Sequence, residues 1–143
     1  MKRTLAFVLV VFFALILAGC LTQRKAKKEI FNLVEENHDE IVKACQEKDA
    51  DALYAIDGII EVDIVDGYVL AYCMGAGIVP SSQYYGFYYS EENLPVAVDC
   101  NQFILCDTEE LTPDGAGYQY TDYGNIFYTE HIMGNIYFYS AAY

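Results

Sequence analysis

The sequence predicts an α+β domain: one long N-terminal helix packed on an antiparallel sheet of about six or seven strands, mostly a meander. Three observations lead there. Residues 27–48 carry apolar side chains at helical spacing, with no Gly or Pro among them. After Gly58 the apolar period changes from helical to two. Turn dipeptides such as Asp66-Gly67 and Gly134-Asn135 join the later segments directly. Such short connections leave no room for the crossover helices that a parallel sheet requires.

The helix is predicted from its stripe. Ile30, Val34, Ile41 and Cys45 lie on one face, with Phe31, Leu33 and Val42 beside it. Glu35, Glu36, Asp39, Glu40 and Glu47 cover the other side. Asp49 or Asp51 can cap a short second turn of helix, Ala52 to Ile56, which Gly58 would end. Ile60, Val62 and Ile64 alternate with Glu61 and Asp63, the pattern of a half-buried strand. Tyr68 to Met74 follows the Asp66-Gly67 turn. Tyr84 to Ser90 and Val96 to Asp107 are the next strands, and Tyr118 to Thr121, Ile126 to Met133 and Ile136 to Ala142 complete the sheet.

The chain has 143 residues, 55% of them apolar, and a formal net charge of −13. That is enough for one modest domain and too apolar for a disordered chain. The charge is unevenly placed. All eight Lys and Arg lie in the first 48 residues, whereas residues 49–143 hold fifteen of the 21 acidic side chains. So acidic a body argues against nucleic acid as a partner, because phosphate neutralisation needs clustered cations.

The N-terminus carries an address. Lys2 and Arg3 precede an uncharged apolar run from Leu5 to Leu17, a length that suits a signal peptide and is short for a membrane span. The run ends in Leu17-Ala18-Gly19-Cys20, which resembles the lipobox of bacterial lipoproteins. The resemblance implies cleavage before Cys20, a diacylglycerol on the Cys20 thiol, and acyl chains such as palmitate on the lipid and the new amine. It divides the chain into a signal peptide (1–19), a lipidated basic stem (20–26) and a single extracytoplasmic domain (27–143). The expected location is the outer face of the cell membrane, held by two or three acyl chains. The rival reading, an uncleaved anchor with an accidental Cys, fits the short run and its small residues less well. Arg24, Lys25, Lys27 and Lys28 follow directly and could lie on anionic headgroups, each contributing about 1 kcal/mol. They could equally be solvated helix charges.

The candidate binding residues are aromatic. The chain holds 14 Tyr and 8 Phe, and Tyr84, Tyr85, Phe87, Tyr88 and Tyr89 form the densest group. Alternation would send half of them to the helix and expose the other half. Exposed tyrosines make a ligand platform for a glycan or a cationic peptide, with Gly86 leaving a notch for a second group. The plainer reading is a sheet built from residues of high strand propensity.

Four cysteines remain besides Cys20. Cys45 and Cys73 read as small core residues. Cys100 and Cys106 would be about 20 Å apart in one strand and can pair only if Asn101-Gln102 turns. Free thiols fit this spacing better than a disulfide framework. No motif identifies a catalytic residue, a metal site or a cofactor. His38 and His131 have no ligand-spaced partner, and Glu91-Glu92 and Glu109-Glu110 fall in loop signals.

The body has a resemblance of its own. Ser81-Ser82-Gln83-Tyr84-Tyr85-Gly86-Phe87-Tyr88-Tyr89-Ser90, Tyr72-Cys73 before Gly75 and Gly77, and Tyr128-Thr129-Glu130 are similar to segments of small lipoproteins of Gram-positive bacteria, a group with no activity to carry over. Met74 and Gly124-Asn125 depart from that group's pattern.

Together these features lead to a non-enzymatic binding domain tethered outside the membrane. Its expected partners are the membrane, through the lipid on Cys20, and a basic protein, peptide or glycan. The alternatives are an inhibitor or immunity-type lipoprotein against a cationic envelope hydrolase or peptide, a structural spacer, and an enzyme with an unrecognised carboxylate site.

Overall fold

The structure is a computed structural model that describes residues 22–78, 81–106 and 108–143. The leader, the Leu17-Ala18-Gly19-Cys20 box and Cys20 itself lie outside the described residues.

Two helical segments replace the single long helix. The first, α1, covers residues 22–36, and α2 runs from His38 to Glu47. Asn37 stands between them with non-helical backbone angles, and its side-chain amide donates to Leu33 O at 2.8 Å. The Leu33 carbonyl thus accepts from both the amide and the backbone N–H of Asn37, and Ile41 N–H still bonds Asn37 O, so the ladder bends at Asn37 without breaking. The apolar stripe survives the bend: Ile30, Val34, Ile41 and Cys45 are all buried. Helix also extends back through residues 22–26, and Ala26 is buried against the core. Asp49 caps α3 (Ala50–Tyr54) by accepting from Ala52 N at 3.0 Å.

The main sheet has seven antiparallel strands. They are β1 (Glu61–Val65), β2 (Tyr68–Ile78), β3 (Ser81–Ser90), β6 (Thr112–Asp114), β7 (Gly117–Asp122), β8 (Asn125–Met133) and β9 (Ile136–Ala142). Two meanders, β1-β2-β3 and β6-β7-β8-β9, meet where β9 pairs with β3. Val65 pairs with Tyr68 across Asp66-Gly67, and Met133 with Ile136 across Gly134-Asn135, as the turn signals predict. The edges are poor templates for another strand, since β1 carries Glu61 and Asp63 and the short β6 carries Pro113.

The segment Val96 to Asp107 is not one strand. It folds into a hairpin of β4 (Ala97–Val98) and β5 (Ile104–Cys106), a separate two-stranded sheet. The Asp99 carboxylate causes the reversal: Oδ1 accepts from the backbone N–H groups of Asn101 and Phe103, both at 2.9 Å, and Gln102 takes a positive φ of 59°. Ile60 departs too, being 58% exposed while Val62 and Ile64 pack toward the helices.

Three layers result. On one face of the sheet, Val69, Ala71, Tyr85, Phe87, Tyr89, Ile136 and Phe138 pack against Ile30, Val34, Ile41 and Leu53 of the helices. On the other, Leu70, Tyr88, Tyr137 and Tyr139 pack against Val96 and Val98 of the hairpin. Ala97, Cys106 and Leu111 extend that cover to Phe127 and Ala141. Tyr88 pins the hairpin down. Its hydroxyl accepts from Val96 N at 2.9 Å and lies 2.7 Å from Thr129 Oγ1, which itself donates to Phe138 O.

Candidate functional site

The aromatic group does not form an exposed platform. Tyr85, Phe87, Tyr88 and Tyr89 are buried, and Tyr84 is half-buried between the rings of Tyr72 and Tyr143. Alternation does divide them between the two faces, as expected. The hairpin covers the second face, so neither half reaches solvent. The notch at Gly86 is also filled. A Cβ there would lie 2.6 Å from the Tyr139 ring and 2.1 Å from Ala71 O, so Gly86 accommodates an internal ring rather than a ligand. Cys45, Cys73, Cys100 and Cys106 are free thiols.

An open cleft lies elsewhere, where the helix layer stops short of the sheet's far end. It has a volume of about 510 Å³, within the range of about 300–1,000 Å³ common for small-ligand sites. The first turns of α1 form one wall, with Gln23, Arg24 and Lys27. Strands β3, β9, β8, β7 and β6 form the floor and opposite wall, with Gln83, Tyr85, Ser140, Tyr128, Gln119 and Asp114. These positions share a face because their registers align: Tyr85 pairs with Ser140, Ser140 with Tyr128, and Tyr128 with Gln119.

One interaction holds the wall to the floor. Lys27 Nζ forms an ion pair with Glu130, whose side chain is only 10% exposed. The Tyr128 hydroxyl donates to the same carboxylate oxygen. Lys27 also sits 5.4 Å from the centre of the Phe31 ring and 6.0 Å from that of Tyr128. A buried carboxylate with a cation and a hydroxyl on it is satisfied, whereas alone it would be costly. Lys27 is therefore turned inward and is not spread on a surface with Arg24, Lys25 and Lys28. Gly117 makes the floor possible, since a Cβ there would come within 2.8 Å of the Tyr128 hydroxyl and 2.2 Å of Thr129 O.

Burial pushes the Tyr128 phenol up, and the hydrogen bond to Glu130 and the charges of Glu130 and Asp114 push it further. Burial does the same to Tyr85, whose hydroxyl donates to Gln83 Oε1. Both phenols stay protonated at neutral pH, with their protons directed at Glu130 and Gln83. Elsewhere, His38 Nδ1 lies 3.1 Å from Asp39, and His131 Nε2 lies 2.8 Å from Gly134 O. Among the described residues no three His, Cys, Asp or Glu are grouped to hold a metal.

Sequence reasoning missed Lys27, Gln83, Asp114, Gln119 and Glu130 as neighbours. Two signals were present: Glu130 is an acid inside an apolar strand, and Gly117 opens a strand where a larger residue would be preferred. Neither names its partner. No family model, curated protein or solved structure matches the chain.

Proposed function

We propose that this protein is an extracytoplasmic lipoprotein, anchored through Cys20 to the outer face of the cell membrane. In this reading it is a non-enzymatic binding domain, and its ligand site is the cleft between α1 and strands β3, β9, β8, β7 and β6. One observation carries the choice of site: the half-buried Lys27–Glu130 pair props α1 over a floor of mixed apolar, aromatic and polar side chains that remains open. The central strands are covered on both faces by the helices and the hairpin. The lipobox supports the anchor, and no helix among the described residues is long and apolar enough to cross a membrane. Cys20 precedes Thr22 by two residues, at most about 7 Å of chain, so the anchor and the cleft wall would be neighbours.

Two measurements test this reading. Wild type should partition into the detergent phase and incorporate labelled fatty acid, and Cys20→Ser should abolish both. A soluble, unlabelled wild type would overturn the anchor. A photo-crosslinking residue at Gln119 in intact cells should give a discrete adduct that the same residue at exposed Tyr54 does not. Indistinguishable patterns would overturn the cleft as the binding site.

The charge distribution favours a second reading, an inhibitor or immunity-type lipoprotein against a cationic envelope hydrolase or peptide. Residues 49–143 carry no Lys or Arg, and an acidic surface steers a basic partner. Association would then slow markedly between 0.1 M and 1 M salt, as screening shortens from about 10 Å to about 3 Å.

A further inference from the structure

The cleft wall and floor carry opposite charges that no ion pair among the described residues compensates. Arg24 stands on the α1 side and Asp114 on the β6 side, and both line the cavity. The other charges here are taken: Lys27 is paired with Glu130, and Lys25, one residue from Arg24, with Glu29 at 3.6 Å. Neither Arg24 nor Asp114 has an ion-pair partner or a side-chain hydrogen bond among the described residues. Between them the surface is neutral and mixed, with apolar Ile126 and Phe138 beside the amides of Gln23, Gln83 and Gln119 and the hydroxyl of Ser140; the Tyr85 and Tyr128 hydroxyls donate to Gln83 and Glu130 and keep their oxygens as acceptors.

We infer that the cleft binds a short peptide with free ends, its α-carboxylate on Arg24 and its α-amine on Asp114, with the amides and hydroxyls between them taking the backbone. The inference rests on the cleft reading above. A guanidinium matches a carboxylate through parallel N–H donors, and a carboxylate accepts readily from an ammonium. An amide presents a donor and an acceptor together, which is what a peptide backbone needs from its site. A ligand of one sign would leave one wall unmatched. A neutral sugar would match neither charge.

The test uses the full-length lipidated protein in detergent and tri-L-alanine as the probe, with equilibrium dialysis as the readout. The N-acetylated and the C-amidated peptides serve as end-blocked controls. Each block should weaken binding about tenfold or more, the effect of losing one charge-assisted contact. Arg24→Gln should abolish the difference between the free peptide and its amide while keeping the difference at the amine end. Asp114→Asn should do the reverse. Both residues are exposed, so the variants retain the fold. Equal binding of free and end-blocked peptides, or differences that neither variant removes, would overturn the inference. No saturable binding of tri-L-alanine, beside a positive Gln119 crosslink, would overturn the peptide class and leave the cleft as the binding site. Failure of both would overturn the two readings together.

Discussion

Lys27 and Glu130, 103 positions apart in sequence, form an ion pair at the base of an open cleft, and the Tyr128 hydroxyl donates to the same carboxylate. The pair joins the first helix to the eighth strand at the point where the helix layer ends.

Removing the cation should therefore be felt. Lys27→Met leaves Glu130 in place without its counter-charge, and we expect a loss of about 1–3 kcal/mol. The figure is kept below that of a fully buried pair because Lys27 is 34% exposed. Lys25→Met removes only a surface pair and should stay within about 0.5 kcal/mol. Urea denaturation of the two variants, with Glu130→Gln and Lys27→Met/Glu130→Gln completing a cycle around the pair, checks the difference. Equal effects of Lys25→Met and Lys27→Met would show that the pair does not fasten the helix.

Tyr88 should matter through its hydroxyl as much as its ring. Tyr88→Phe keeps the packing but leaves the buried Val96 N–H without its acceptor, a cost of about 1–3 kcal/mol. The Tyr137 hydroxyl donates to Asn93 O at 2.9 Å in a half-open position, where water can replace it. Tyr137→Phe should cost less, about 0.5–1.5 kcal/mol. Amide hydrogen exchange should speed up in the β4–β5 hairpin of Tyr88→Phe before it does elsewhere.

Gly86 is predicted to be the least replaceable glycine. Its Cβ would lie 2.1 Å from Ala71 O and 2.6 Å from the Tyr139 ring in the middle of the sheet. Gly86→Ala should cost at least about 3 kcal/mol or prevent folding. Gly67 has a φ of +78° and open space around it. Gly67→Ala should cost only the left-handed backbone preference, about 1–2 kcal/mol. Thermal melts of both variants check the order.

The buried thiols make stability depend on alkaline pH. Burial pushes Cys45 and Cys73 up to about 12, from 9.0. Below pH 9 the thiols are protonated in both the folded and the unfolded chain, and this contribution to stability is fully present. Between pH 9 and 12 the unfolded thiols ionise while the folded ones hold their protons, so stability falls, by up to about 1.4 kcal/mol per pH unit for each group. The raised phenols of Tyr85, Tyr88 and Tyr139 act in the same direction at higher pH. Cys45→Ala should reduce the slope over this range. At pH 8 a thiol reagent should modify half-exposed Cys100 long before Cys45, Cys73 or Cys106.

Local chemistry made much of the fold legible. The helical stripe from Ile30 to Cys45, the strand alternation from Glu61, and the turns at Asp66-Gly67 and Gly134-Asn135 are written in adjacent residues, because backbone geometry sets which side chains share a face. The binding residues were not legible in the same way. Tyr84 to Tyr89 announce a strand with rings on both faces, but alternation is silent about what covers each face. The Asp99 turn folds Val96–Val98 back over the second one, and Tyr88 and Tyr139 go inside.

By itself the sequence determined the helical start and the strands that follow it, the antiparallel character of the sheet, and the division of charge between a basic start and an acidic remainder. Tertiary structure alone decided that β9 runs between β3 and β8, that Gly86 makes room for Tyr139, and that Lys27 reaches Glu130. These are contacts between residues far apart in the chain. Each depends on the summed burial of whole layers, and periodicity and propensity act only over a few neighbouring residues.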